Sequence, residues 1–439
     1  MSIEGALRYY LGTGIGKGVL RFERLRNEWR LRHRAPKTSS PFSPPLSTSP
    51  WLKELISRHY LTGRYADAHR KVAWVTSGAP VEFLKALGYY LLYPENHGAV
   101  CGIRRRGEEL CQAAEEAGYS RDICSYARTD LGSLLSGRTP VGRLPKPDLL
   151  LCCTNICQTV LFWYRVLAAH FRVPLVIIDT PFIYSTAPAH AVDFVQRQLE
   201  LGVETAERVA GRSIDPAELE RVTRRSREAV ELWMRVLERA RHVPAPITAF
   251  DEFIHMGPIV EMRGDRATVD YYRALLATLD LRIARGTGAL KQERIRLIWD
   301  NLPIWYRMRG LSELLARHGA TLVASTYTNA WGELAALIDP SDPMRSAARV
   351  YLHPILNRGT GHKLDTIQRL ATDYAAHGVI LHSDRSCKPY SVGQMDQRER
   401  LSARGIPALL LEADHNDPRA FADEQAENRI QAFLEMIPS

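Results

Sequence analysis

The chain has 439 residues, too many for one hydrophobic core of ordinary size, and 45% hydrophobic against 24% charged residues excludes wholesale disorder. No run approaches the roughly 20 apolar residues that span a bilayer, and the first 18 residues lack the charged–apolar–small order of a signal peptide. A cytoplasmic protein without a membrane partner is expected.

Residues 1–65 read as an appendage. A basic helix near Arg21–Arg32 is followed by Pro36–Pro50, whose Pro and Ser content predicts an extended or wrapping linker. The formal charge of +9, with only nine Lys among 58 basic residues, is densest in that basic helix. No aromatic interleaving or reader motif accompanies it, so nucleic acid is not expected as a partner. An acidic partner subunit or an anionic substrate such as a coenzyme A ester remains. Ahead of the basic helix, Gly12-Thr-Gly-Ile-Gly-Lys-Gly18 fits no phosphate-loop spacing and follows no strand. A flexible turn is expected there.

Residues 66–186 alternate strands with helices: a strand at Lys71–Val75, a helix from about Pro80, a strand at Asp148–Cys153, a helix at Ile156–Phe171 and a strand at Leu175–Asp179. Short strand–helix–strand connections imply a parallel sheet. Residues 187–290 are Arg- and Glu-rich helical segments interrupted at His242–Pro246. The strand–helix rhythm resumes over residues 291–439, with strands at Ile295–Trp299, Thr321–Ser325, Val379–His382 and Ala408–Glu412. The reading is an α/β protein: two doubly wound, Rossmann- or flavodoxin-like parallel-sheet domains, a helical insert and an extended N-terminal appendage.

Seven cysteines in a long intracellular chain are not a disulfide framework. Cys152 and Cys153 read as small buried side chains, and Cys101 and Cys111 read either as the same or as competing ligands. Cys157 and Cys387 lie just past predicted strand ends, where open α/β sheets gather ligands, and Cys124 opens a predicted helix. Three thiols converging on one cleft suit an iron–sulfur cubane or zinc.

Five strings then carry a family resemblance: Asp122-Ile-Cys-Ser-Tyr-Ala-Arg128, Cys153-Thr-Asn-Ile-Cys157, Pro174–Phe182, Arg294–Trp305 and His382-Ser-Asp-Arg-Ser-Cys-Lys-Pro-Tyr-Ser391. In order, they resemble the motifs of the 2-hydroxyacyl-CoA dehydratase and benzoyl-CoA reductase family. Thr326–Trp331 and Glu412–Asp417 resemble the B-type subunit of ATP-dependent benzoyl-CoA reductase. Gln158 departs from the Asp that relatives often carry there.

The resemblance implies a [4Fe-4S] cluster held by Cys124, Cys157 and Cys387, either alone or as half of a double cubane bridged to the partner subunit. It implies a homologous catalytic subunit as that partner, and an ATP-hydrolysing iron–sulfur activator supplied by ferredoxin. It implies an aromatic acyl-CoA substrate dearomatised to a cyclic dienoyl-CoA, with two alternatives: a subunit of a radical 2-hydroxyacyl-CoA dehydratase, or a relay-cluster or scaffold subunit whose substrate sits on the partner chain. His382, Asp179 and Glu412 lie near predicted strand ends, as proton-delivery groups or as a turn partner, a helix cap and a surface charge respectively. Trp299, Trp305, Tyr306 and Trp331 read as walls of an aromatic pocket or as plain core.

Overall fold

Eight strands in two four-stranded sheets, every pairing parallel, form the frame of the computed structural model, which describes residues 3–33 and 39–437. The first sheet holds β1 (Val72–Val75), β2 (Tyr90–Leu92), β3 (Leu149–Cys153) and β4 (Leu175–Ile178), in the order β2-β1-β3-β4. The second holds β5 (Ile295–Asp300), β6 (Ala320–Ser325), β7 (Gly378–Asp384) and β8 (Ala408–Ala413), in the order β6-β5-β7-β8. The two orders are the same topology, and the winding direction reverses between β1 and β3 and again between β5 and β7. Such reversals open a crevice at the carboxyl ends of the strands.

Side chains alternate along each strand and divide the core accordingly. Val72 and Trp74 of β1 join a cluster that also holds Leu150 of β3, Leu297 and Trp299 of β5 and Ile380 of β7. One apolar core is therefore shared by the facing sides of both sheets. Ala73 and Val75 point the other way, onto Val195 and Leu199 of the helix Ala189–Ala210. On the outer side of the second sheet, Ile298, Val323 and Val379 meet Trp233 and Tyr272, from the helices Pro216–Glu238 and Arg266–Ala284. The helical stretch after residue 187 thus covers one face of each sheet.

The N-terminal region differs from its sequence reading. A single helix, α1 (Ile3–His33), runs through the glycine stretch expected as a turn and lies along α2 (Ser49–Ala66). A Cβ on Gly12 would stand 2.7 Å from the Tyr65 ring, and one on Gly16 2.5 Å from Leu61. Close helix–helix contact here outweighs the poor helix propensity of glycine. Of the expected linker Pro36–Pro50, residues 36–38 lie outside the described residues. The remainder wraps: Phe42 bridges to Leu290, Ser43 N donates to Ala289 O (2.9 Å), and Leu46 is buried beside Trp233. Among the described residues no helix is long and apolar enough to cross a membrane.

Candidate active site

A cavity of about 200 Å³ opens where the carboxyl ends of the two sheets meet. Ser77 and Gly78 enter it from the loop after β1, Asn155 and Cys157 from the loop after β3, Leu302 from the loop after β5, and Cys387 from the loop after β7. Both winding reversals therefore feed one site, as the sheet topology dictates.

Cys124, Cys157 and Cys387 all line this cavity and are half-buried, whereas Cys101, Cys111, Cys152 and Cys153 are fully buried elsewhere. Each of the three occupies the residue before a helix: Cys124 before Ser125–Ser136, Cys157 before Gln158–Phe171, and Cys387 before Lys388–Ser391. Such positions present free backbone N–H groups and a favourable dipole to a thiolate. Burial pushes the Cys157 thiol up to about 12, with the Cys124 charge adding to it, against hydrogen bonds from the Val160 and Thr159 backbone. Burial likewise holds Cys387 well above the ordinary thiol range, helped by Asp384, Cys124 and Cys157, while the Tyr390 N–H opposes it.

The three sulfurs therefore repel one another's charge, and a cation bound among them removes that repulsion. Three soft donors, N–H groups aimed at sulfur and a partly enclosed position fit an iron–sulfur cluster. Sulfur ligation also suits zinc, but the amide hydrogen bonds at Cys157 and Cys387 are the contacts that tune a cluster.

Behind Cys124 stands a buried acid–imidazole group that the sequence reading did not single out. His415 Nδ1 donates to Asp384 Oδ2 (2.7 Å), and its Nε2 lies 2.8 Å from Ser125 Oγ and 3.9 Å from Cys124 Sγ. Burial alone would depress the imidazole, but the charges of Asp384 and Asp414 outweigh it and hold its pKa well above the ordinary value. Asp384 Oδ1 also accepts from the Ser386 and Cys387 backbone N–H groups (3.1 and 3.2 Å). Donor atoms of Asp384, Asp414 and His415 lie within 4.8 Å of one another, as in a small metal site. His415 and Asp384 bond each other, and Asp414 accepts from Ser386 Oγ (2.6 Å) and from the Asn416 and Asp417 N–H groups (2.8 and 2.9 Å), so the group reads as a support that ties Cys124 and Cys387 together.

The cavity wall is largely apolar and aromatic, with Tyr126, Trp163, Tyr327, Trp331 and Tyr390 among its side chains. Two carboxyls line it: Glu82, which is paired to Arg263 (2.9 Å), and Glu95. Burial raises the Glu95 carboxyl to about 7, against hydrogen bonds from its own backbone and from Ser77. Its Oε2 accepts from Ser77 N (3.0 Å) and Ser77 Oγ (3.2 Å), while the buried Oε1 has no partner among the described residues. A carboxyl poised near neutrality beside an unfilled cavity can both give and take a proton. Glu95 sits in the first turn of the helix Pro94–Ile103, directly after β2.

The other residues expected near the site divide. Trp331 lines the cavity, but Trp299, Trp305 and Tyr306 belong to the shared core. Trp305 nonetheless donates its indole N–H to the Tyr126 hydroxyl and so braces a wall residue. His382 is buried with Nδ1 on Leu302 O (2.6 Å) and does not line the cavity. Asp179 is exposed and accepts from Thr154 Oγ1 (2.5 Å) on the first sheet's edge; Glu412 is exposed on β8. Gln158 is exposed at the start of its helix, so the missing carboxylate falls outside the cavity.

A family model described as 2-hydroxyglutaryl-CoA dehydratase, D-component, matches residues 76–437. The chain belongs to this family. It is 32% identical over 392 residues to the (R)-2-hydroxyisocaproyl-CoA dehydratase alpha subunit of Clostridioides difficile, covering 88% of this chain and 95% of the relative. It is 28% identical over 399 residues to the (R)-phenyllactyl-CoA dehydratase alpha subunit of Clostridium sporogenes, covering 88% and 97%. It is 29% identical over 402 residues to the B-type subunit of benzoyl-CoA reductase from Thauera aromatica, covering 88% and 93%. The chain is thus an enzyme subunit of the 2-hydroxyacyl-CoA dehydratase and benzoyl-CoA reductase type. The matched region contains all the cavity residues named above and leaves out α1 and α2.

Proposed function

We propose that this chain is the cluster-holding, substrate-binding subunit of a radical acyl-CoA enzyme, and that its acyl substrate is aromatic and is reductively dearomatised, as in benzoyl-CoA reduction. One observation carries the reading: three half-buried cysteines and one protonatable carboxyl face the same aromatic-walled cavity. A cavity of about 150 Å³ already accommodates benzene, so a ring fits within about 200 Å³.

Cys124, Cys157 and Cys387 would hold the cluster, which when bound supplies single electrons at low potential. The chain's own residues do the rest. The aromatic wall excludes water, so that charge developing on the ring and thioester carbonyl is not quenched by bulk protons. Glu95, steadied by Ser77, delivers a proton through its free Oε1, and its near-neutral pKa lets it be reprotonated between turnovers.

The names of the relatives, as alpha-type or B-type subunits, support a homologous companion chain. An ATP-hydrolysing activator fed by ferredoxin would bring the electrons, in an oxygen-poor cytoplasm. The helical state of Gly12–Gly18 fits with nucleotide being bound elsewhere.

A second reading, dehydration of a 2-hydroxyacyl-CoA, is favoured by the family model and by the dehydratase names of two relatives at 28% and 32% identity. In it Glu95 would take the β-proton as the hydroxyl leaves. Anaerobic assay of the reconstituted complex separates the two. Two electrons consumed per cyclic dienoyl-CoA formed supports reduction. Enoyl-CoA formation with electrons needed only to start the reaction sinks it in favour of dehydration.

A further inference from the structure

Helix α1 is packed on one face only. Tyr9 and Thr13 are buried, and Gly12 and Gly16 admit Tyr65 and Leu61 of α2. The opposite face is apolar and open: Leu11, Ile15, Phe22, Leu25 and Trp29 are each 49–70% exposed. With Gly18 these positions follow a four–three–four–three–four spacing, the seam of a coiled coil. A surface helix needs an apolar stripe toward its core and none toward solvent. This one has two.

The glycines sharpen the point. A Cβ on Gly14 or Gly18 would meet nothing within 4 Å, so neither serves the contact with α2. Glycine inside a helix costs about 1 kcal/mol relative to alanine. Gly14 and Gly18, four residues apart on the open face, repeat the device that Gly12 and Gly16 use against α2. A notch of this kind serves the close approach of another helix. A lipid surface gains more from bulky side chains at the same positions.

Charge selects the helix. The α1 segment carries seven Lys and Arg against three Glu. Arg21 and Arg26 flank the seam, as does Glu28, which is already paired to Arg24 (3.2 Å). A second copy would set Arg21 against its own counterpart if antiparallel, and against Arg26 if parallel. Self-pairing with the seams fully overlapped is thus opposed in both directions, whereas an acidic helix is matched. The segment lies before residue 76, where the family match begins, so nothing in the shared catalytic fold accounts for it.

We propose that the open face of α1 is a docking seam for one acidic amphipathic helix of a different polypeptide, seated against Gly14 and Gly18. The test uses the full chain and two synthetic heptad peptides of about 35 residues with the same Leu/Ala seam. One peptide carries Glu at the flanking positions and the other Lys. Fluorescence anisotropy should show the Glu peptide binding at least roughly tenfold tighter, with the difference shrinking as salt rises. Phe22→Glu should abolish binding. Gly18→Leu should abolish it too, while raising the melting temperature of the chain, because the substitution removes a helix glycine from an open face. That combination separates lost docking from lost folding. Equal binding of the two peptides, or of neither, overturns the proposal. So does self-association of the chain that Phe22→Glu abolishes, or adsorption to phosphatidylglycerol vesicles in preference to the Glu peptide.

Discussion

Replacing Glu95 with Gln tests the cavity's acid group by two independent routes. In the folded chain burial lifts this carboxyl from the ordinary 4.5 to about 7. A rise of that size means that ionising Glu95 costs the folded state about 3 kcal/mol. Because the folded pKa lies above the unfolded one, the penalty is absent below about pH 4.5. It grows as pH rises and is complete once pH has passed about 7. Gln keeps an oxygen for the Ser77 N–H and hydroxyl but never ionises. Urea unfolding of the Glu95→Gln chain should therefore match wild type near pH 4 and exceed it by about 3 kcal/mol at pH 8. Glu261, also raised to about 7 by burial, contributes a similar slope to both proteins and cancels in the difference. Turnover should fall by about 10²–10⁴-fold, the usual loss for a positioned proton-transfer group. A variant with no stability gain at pH 8 would refute the burial argument. Undiminished turnover would refute the catalytic one.

Three further outcomes follow from the geometry. Asp384→Asn should remove the carboxylate that His415 hydrogen-bonds, leaving Asp414 as its remaining charge partner, and loosen the link between Cys124 and Cys387, so iron retention on anaerobic gel filtration should drop. Full retention would reduce the Asp384–His415 pair to ordinary packing. Arg128 is buried and paired to Asp417 (2.8 Å) and Glu115 (2.6 Å), which Arg419 also contacts (2.6 Å each); Arg128→Met should destabilise the chain by about 1–3 kcal/mol, because both carboxylates lose a charged partner but keep Arg419. A loss under about 1 kcal/mol in chemical denaturation would contradict this. Trp331→Ala enlarges the cavity, and kcat/KM should shift toward bulkier acyl-CoA esters; an unchanged preference would place the acyl group elsewhere.

The larger features were legible in the sequence for identifiable reasons. The run Leu149–Cys153 is buried on both faces, as a parallel strand requires, and so reads as a continuous apolar segment; Ile295–Asp300 is buried throughout as well, with Arg296 and Asp300 as its polar exceptions. Three-residue β2 offers neither length nor alternation, and with it Glu95 went unnoticed, since the role of that residue depends on following a strand end. Polarity separated Cys387 from the packing cysteines, because a structural thiol rarely sits in so polar a string. His415 and Asp384 lay in strings that carried the family resemblance, yet their partnership joins residues 31 apart, and only folding brings them to Cys124. The helical state of Gly12–Gly18 was hidden because propensity argues against it and the helix α2 that overrides propensity lies more than 30 residues on.

The central claim is that Cys124, Cys157 and Cys387 together hold one iron–sulfur cluster in the wall of the cavity. Iron and sulfide determination on protein purified without oxygen tests it most directly, on wild type, on each of the three Cys→Ala variants and on Cys111→Ala. The account predicts about four iron atoms per chain for wild type, a near-complete loss in each of the three variants, and an unchanged content in Cys111→Ala. Full iron in Cys387→Ala, or loss in Cys111→Ala alone, would contradict it.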